Sequence, residues 1–208
     1  ISGCDGTLNI VHSYFDNFDL FNSLHKSFSH ESLILNADNF KTISFDLFGT
    51  LINDKVHLSQ SQISYLVSKV LPIADRENYL ILRKSCNSSS HYEHPSKTNL
   101  SNYYEFIGNK MHFSKKFFKY LESLEINFYL KYLEPIKIGL EILNYLSRLE
   151  KPIFIYTDTF HSLATINKIL ETHLGKYHFT EIIVSSEVGF SKDNVTLNMF
   201  KQHQKNTK

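Results

Sequence analysis

Thr42-Ile43-Ser44-Phe45-Asp46-Leu47-Phe48-Gly49-Thr50-Leu51 is the stretch on which the reading of this chain turns. A short apolar run leads straight into a carboxylate, and Gly-Thr follows. A buried strand that presents one acid at its carboxyl tip has this form, and open α/β sheets bind ligands just outside such tips. Gly49 allows a sharp backbone turn there. On this reading Asp46 is a nucleophile or a metal ligand. Taken alone, the same residues also fit an ordinary strand-to-helix turn.

The wider chain sets bounds on the class. Its 208 residues suit one domain of ordinary size, or a core with an inserted subdomain. A composition that is 42% hydrophobic and 14% aromatic supplies a real core. The net charge of +1 offers nothing to attract nucleic acid or an anionic membrane. No apolar run approaches the ~20 residues of a membrane span. The first residues lack the basic-then-apolar pattern of a secretory signal. Cys4 and Cys86 are too few for a disulfide framework, so a reducing, cytoplasmic setting is expected. The chain begins at Ile1 without an initiator Met, and the expectation is a processed, excerpted or partial sequence.

Residues 1–40 read as an extension of unknown role. Asp5-Gly6-Thr7-Leu8 looks like a phosphatase signature, but no apolar strand precedes it and it is read as a decoy. Phe18, Phe21 and Phe28 can share a helical face.

Residues 55–133 read as helices inserted after the first strand. Ser59-Gln60-Ser61-Gln62 starts one that runs to Leu71, and Pro72 ends it. A second covers Ala74 to Cys86, with Asn87-Ser88-Ser89-Ser90 as a loop. His91-x-x-His94 falls in that loop. It is half a zinc site at most, since no nearby Cys, Asp or Glu pair completes it. A third helix covers Leu100 to Ile107, with Gly108 as its stop. A fourth covers Ser114 to Leu133, with Phe117, Leu121, Leu124, Phe128 and Tyr132 along one face. Glu122 and Glu125, at i and i+3, fit a metal pair or, as the better reading, a solvated helix face; Arg83 and Lys84 fit contact with an anionic substrate or, as the better reading, surface charges.

Alternation of helix and strand then resumes. Gly139 to Leu149 is amphipathic. Pro152 to Tyr156 is a short buried strand ending at Thr157-Asp158-Thr159. Leu163 to Leu174 is helical. Glu181 to Val184 is a further strand, followed by Gly189-Phe190-Ser191-Lys192. Strand–helix–strand units of this length imply parallel pairing with right-handed crossovers.

Three strand tips therefore line up Asp46, the Thr157 hydroxyl and the Lys192 ammonium. A carboxylate nucleophile, a hydroxyl donor and a cation are what in-line displacement at phosphorus requires. A helical insertion after the first strand would cover the site and exclude water.

Phe45 to Leu51, then Thr157, then Lys192, resemble motifs I, II and III of the haloacid dehalogenase-like superfamily in order and spacing. Ile153 to Phe160 and Val184 to Lys192 are most similar to a bacterial branch of predicted hydrolases. That branch often neighbours, or is fused to, glycosyltransferases of surface-polysaccharide synthesis. The resemblance covers about residues 41 to 200 and is weakest in the insertion. It implies a Rossmann-like α/β core over 41–54 and 134–208, with a helical cap over 55–133. It also implies Asp46 as nucleophile and Mg²⁺ as cofactor, held by Asp46 and the Phe48 backbone carbonyl. Lys192 then joins the catalysis, Thr157, Asp158, Gly49 and Thr50 bind substrate, and the partner is a small phosphorylated molecule.

Two departures qualify this. Phosphatases of the superfamily place a second Asp where this chain has Phe48. That Asp protonates the leaving alkoxide and then activates water, and such transfers are worth ~10²–10⁴-fold. Haloacid dehalogenases carry an aromatic residue there, because a halide leaves without a proton. Second, the fourth motif, a strand ending in acids that complete the metal site, has no counterpart after Lys192. Without it the strand bearing Asp46 is expected to lack a neighbour on one side, and the sequence is expected to be incomplete, frameshifted or part of a longer polypeptide.

The expectation is an α/β hydrolase acting on phosphoesters or sugar phosphates through an aspartyl intermediate. The alternatives are an inactive remnant or accessory module of a glycosyltransferase system, and a haloacid dehalogenase-type hydrolase.

Overall fold

The computed structural model describes residues 2–4, 7–10, 42–55, 59–93 and 99–189. They fall into two compact units. The first comprises Ile1–Asn53, Glu134–Thr157 and Leu170–Ile183; the second comprises Asp54–Leu133, Asp158–Ile169 and Val184–Lys208.

The first unit is built on a five-stranded sheet. Its strands are β1 (Ser2–Cys4), β2 (Thr7–Ile10), β3 (Thr42–Asp46), β6 (Ile153–Thr157) and β7 (Glu181–Val184), in the order β1-β2-β3-β6-β7. β1 and β2 form an antiparallel pair, while β2–β3 and β3–β6 are parallel. β3 is buried through Ile43, Ser44 and Phe45, as a strand flanked on both sides should be. The sequence led us to expect an open side beside β3. Thr7–Ile10 lies there instead, in register from Thr7↔Thr42 to Ile10↔Phe45. Sheet order is a tertiary property, which a local reading of residues 1–40 does not contain. Asp5 and Gly6 of the apparent decoy signature, and the aromatic run at 14–28, lie outside the described residues.

β4 (Ile52–Asp54) and β5 (Leu133–Pro135) pair as a separate two-stranded ribbon. α5 (Lys137–Leu146) follows and ends through a 3-10 turn at Ser147–Leu149. It buries Gly139, Leu143 and Leu146. Thr180 N–H donates to Ile153 O (2.7 Å), and its hydroxyl accepts from Ile153 N–H (3.1 Å), fastening the connection between β6 and β7.

The second unit is mainly helical: α1 (Gln60–Ser68), α2 (Ile73–Glu93), α3 (Leu100–Lys110) and α4 (Lys115–Tyr132). Ser59 caps α1 with a capping box closed by Gln62. Ser114 caps α4 by accepting from Phe117 N–H. Val67, Leu71, Tyr79, Leu100, Tyr103, Tyr104, Ile107, Phe118 and Leu121 form one buried cluster. α6 (Leu163–Leu174) and the single turn α7 (Ser185–Val188) complete the described elements. Among the described residues no helix is long and apolar enough to cross a membrane.

Three local expectations are corrected. α2 does not stop at Cys86 but runs through Asn87–Ser90 to Glu93. Ser and Asn cost a formed helix only about 0.5 kcal/mol each, and Pro95 is the first true breaker. His91 is therefore helical, and His94 lies outside the described residues. α3 runs through Gly108, which is buried. A Cβ built on Gly108 would collide with the Phe118 ring, so this glycine allows close packing rather than ending the helix. The turn comes at His112, with φ of 55°. Arg83 and Glu125, read as surface charges, are 1% and 0% exposed.

Candidate functional site

In the first unit the register pairs Asp46 with Tyr156, so the next residue of β6 is Thr157. Asp46 and Thr157 thus stand at the same end of two neighbouring parallel strands. This is the carboxyl edge where α/β sheets place ligands.

The turn after Asp46 is tightly wound. Leu51 N–H and Ile52 N–H both donate to Leu47 O (2.9 and 3.0 Å). Gly49 N–H donates to Ile52 O (2.8 Å), forming the bridge between Phe48 and Ile52. Gly49 has a φ of 76°, which a side chain would strain. Thr50 is buried. Gly139, in the first turn of α5, lies so close to the Thr50 carbonyl that a Cβ would collide with it. Ile136 N–H also donates to Leu51 O (2.9 Å). The start of α5 therefore braces the turn.

Thr157 is fully buried, and its Oγ1 has no hydrogen-bond partner among the described residues. A buried hydroxyl without a partner costs roughly 1–3 kcal/mol. An acceptor oxygen brought by a ligand would relieve that cost.

Asp158 is half-buried and begins the second unit's segment Asp158–Ile169. Lys192 lies outside the described residues. The structure thus brings Asp46, Phe48, Gly49, Thr50 and Thr157 to one edge of the first unit.

Among the described residues no group of three or more His, Cys, Asp or Glu side chains could hold a metal. The Asp46 carboxylate and the Phe48 carbonyl are the donors that the resemblance of the sequence implies. Mg²⁺ keeps several waters and uses one or two carboxylates together with substrate phosphate oxygens. Those two donors suit an ion bound jointly with a phosphorylated substrate, not one caged by protein alone.

The second unit holds charged residues that the sequence reading missed. Arg83 Nη2 donates to Glu125 Oε1 (2.7 Å) and Arg83 Nε to Oε2 (3.2 Å). The Tyr104 hydroxyl donates to Glu125 Oε2 (2.5 Å) and lies 2.9 Å from the Tyr79 hydroxyl. Burial pulls the Arg83 pKa down, but the Glu125 charge and hydrogen bonds together raise it above the ordinary value. Burial, then Glu125, raises Tyr79 and Tyr104, so both stay protonated. Burial, then Arg83, pushes His161 down to about 3. The available signal was spacing. Tyr79, Arg83 and Cys86 share one helical stripe, as do Phe118, Leu121 and Glu125. A charge inside an apolar stripe calls for a buried partner.

No protein-family model and no curated protein matches the chain. Solved structures do. A β-phosphoglucomutase candidate from Thermotoga maritima is 12% identical with a TM-score of 0.50, covering 80% of this chain and 71% of that one. A structure described as a dehalogenase is 13% identical with a TM-score of 0.43, covering 80% and 71%. A predicted phosphoglycolate phosphatase from Haemophilus somnus 129PT is 15% identical with a TM-score of 0.42, covering 80% and 72%. At such identities the likeness concerns fold alone, and the first of the three carries it. The fold is α/β and Rossmann-like, with parallel pairing of β2, β3 and β6.

Proposed function

We propose that the chain is a hydrolase that forms a covalent intermediate on Asp46, acting on a small phosphorylated substrate. The observation that supports this is the register pairing of Asp46 with Tyr156, the residue before Thr157, whose buried hydroxyl has no hydrogen-bond partner among the described residues. An Asp46 oxygen attacks phosphorus in line, and the P–O bond to the leaving group breaks with its electron pair. Water then displaces Asp46 from phosphorus and regenerates the carboxylate. Thr157 donates to a phosphoryl oxygen, and the Lys192 ammonium balances the charge on phosphate and carboxylate. Asp158 and the Gly49–Thr50 backbone orient the substrate. Mg²⁺, held by Asp46 and the Phe48 carbonyl, would neutralise phosphoryl charge. Residues 55–133 serve as the cap.

Phe48 supplies no proton, so good leaving groups are favoured. The same residue favours a second reading, attack by Asp46 on carbon with release of halide. A role in surface-polysaccharide synthesis beside a glycosyltransferase rests on the resemblance of Ile153 to Phe160 and of Val184 to Lys192 to that branch.

The test is release of phosphate from p-nitrophenyl phosphate and from sugar phosphates with Mg²⁺, by the parent and by Asp46→Asn. Loss of release in the variant is expected. Equal rates would identify an inactive or accessory module. Halide release from a 2-haloacid that survives chelation of metal would replace phosphoryl chemistry with dehalogenation.

A further inference from the structure

The Arg83 guanidinium lies over two neighbouring rings of the second unit, 5.1 Å from the Tyr103 centroid and 5.5 Å from the Phe160 centroid, and the two centroids are 6.0 Å apart. Phe160 belongs to the loop that leaves the tip of β6. Its backbone is fastened to the helices, because Leu100 N–H, at the start of α3, donates to Phe160 O (2.8 Å). The Tyr129 ring of α4 meets the His161 ring edge-on at 4.6 Å.

The same loop is fastened through α7. Thr159 N–H donates to Ser185 Oγ (2.9 Å), and that hydroxyl also lies 3.2 Å from Thr159 O. Ser186 Oγ donates to His161 O (2.7 Å). Leu163 N–H donates to Glu187 Oε1 (3.0 Å). The backbone from Thr159 to Leu163 is therefore gripped both by the helices and by the turn that precedes Lys192 in sequence.

A buried ion pair is a costly way to fill a helical core. Apolar residues of similar volume usually serve stability as well or better. What Arg83 adds is geometry: a planar fork held by the two Glu125 oxygens and set over aromatic rings, which Lys cannot reproduce.

We propose that Arg83 is a positioning residue. Locked by Glu125, it fixes Phe160 and with it the Asp158–Ser162 loop, and so sets the substrate-binding Asp158. Its catalytic consequence rests on the hydrolase reading above; its structural consequence does not.

The test is the double variant Arg83→Met/Glu125→Leu, which removes both charges and keeps the volume, beside Arg83→Lys. Amide hydrogen exchange at Thr159, His161 and Leu163 is read together with melting temperature and turnover of p-nitrophenyl phosphate. In the double variant the Tyr104 hydroxyl keeps Tyr79 as a partner but loses Glu125. That variant is expected to melt somewhat below the parent, and to exchange those amides about tenfold faster or more relative to amides of α1 and turn over correspondingly slower. Arg83→Lys, which keeps the charge but not the fork, is expected to loosen the same amides. It decides the question if the double variant does not fold. Loop amides as protected as the parent's in a folded variant would overturn the proposal. Equal phosphate release by the parent and Asp46→Asn would sink the hydrolase reading, and the exchange result would still decide the role of Arg83.

Discussion

Asp46 and Tyr156 are register partners on neighbouring parallel strands, and this pairing makes Thr157 the next residue beyond Asp46's partner on the adjacent strand. The Thr157 hydroxyl is buried, with no hydrogen-bond partner among the described residues. Val has nearly the same shape and no hydroxyl. Thr157→Val is therefore expected to raise stability by about 1 kcal/mol, because an unsatisfied buried group is removed. It is also expected to lower kcat/KM for a phosphoester about tenfold or more, since a donor to the developing charge is lost. Denaturant melts and steady-state kinetics on one preparation check both signs. A variant that is less stable and fully active contradicts the assignment.

Gly139 packs against the turn that follows Asp46. Its absent side chain is what lets α5 approach the Thr50 carbonyl. Gly139→Ala improves helix propensity by about 1 kcal/mol, but a backbone carbonyl cannot rotate away from the new methyl. Overpacking of this kind costs about 1–3 kcal/mol, so the net sign is destabilising. The turn carrying Phe48 and Gly49 must also shift, and a fall in kcat is expected alongside the fall in melting temperature.

Gly108 offers a contrast in the second unit. Here the obstacle is the Phe118 ring, a side chain that can be shortened. Gly108→Ala is expected to cost about 1–3 kcal/mol alone. In the Phe118→Leu background the cost should shrink, giving a coupling of about 1 kcal/mol or more in a double-mutant cycle. Additive losses would mean that the two residues do not press on each other.

The parts legible in the sequence are those written locally. An apolar run ending in Asp46, and another ending in Thr157, announce strand tips by themselves. Ser59 and Ser114 announce helix starts by their capping chemistry. What was not legible depends on partners far along the chain. Thr7–Ile10 becomes the neighbour of β3 only through sheet order. Arg83 and Glu125 are 42 residues apart, and each alone looks like a solvated charge. Gly108 reads as a helix stop until Phe118 is seen filling the space beside it.

His161 predicts how stability depends on pH. Burial first, and Arg83 second, lower its pKa from 6.5 to about 3 in the folded chain. The unfolded chain therefore takes up a proton that the folded chain refuses as pH falls below 6.5. Stability from this group is complete above pH 6.5 and drops by about 1.4 kcal/mol per unit until the folded value is reached. The melting temperature of the parent should fall more steeply between pH 6.5 and 4 than that of His161→Phe. Parallel curves would show that His161 is not held neutral.

In the proposed reaction Asp46 becomes covalently attached to the phosphoryl group as the leaving group departs. The most direct measurement is a rapid acid quench of the protein turning over p-nitrophenyl phosphate, followed by mass spectrometry of the peptide that contains Asp46. A fraction of that peptide heavier by one phosphoryl group is expected, and none in Asp46→Asn. An unmodified Asp46 peptide, sampled while the parent is releasing phosphate, would contradict it.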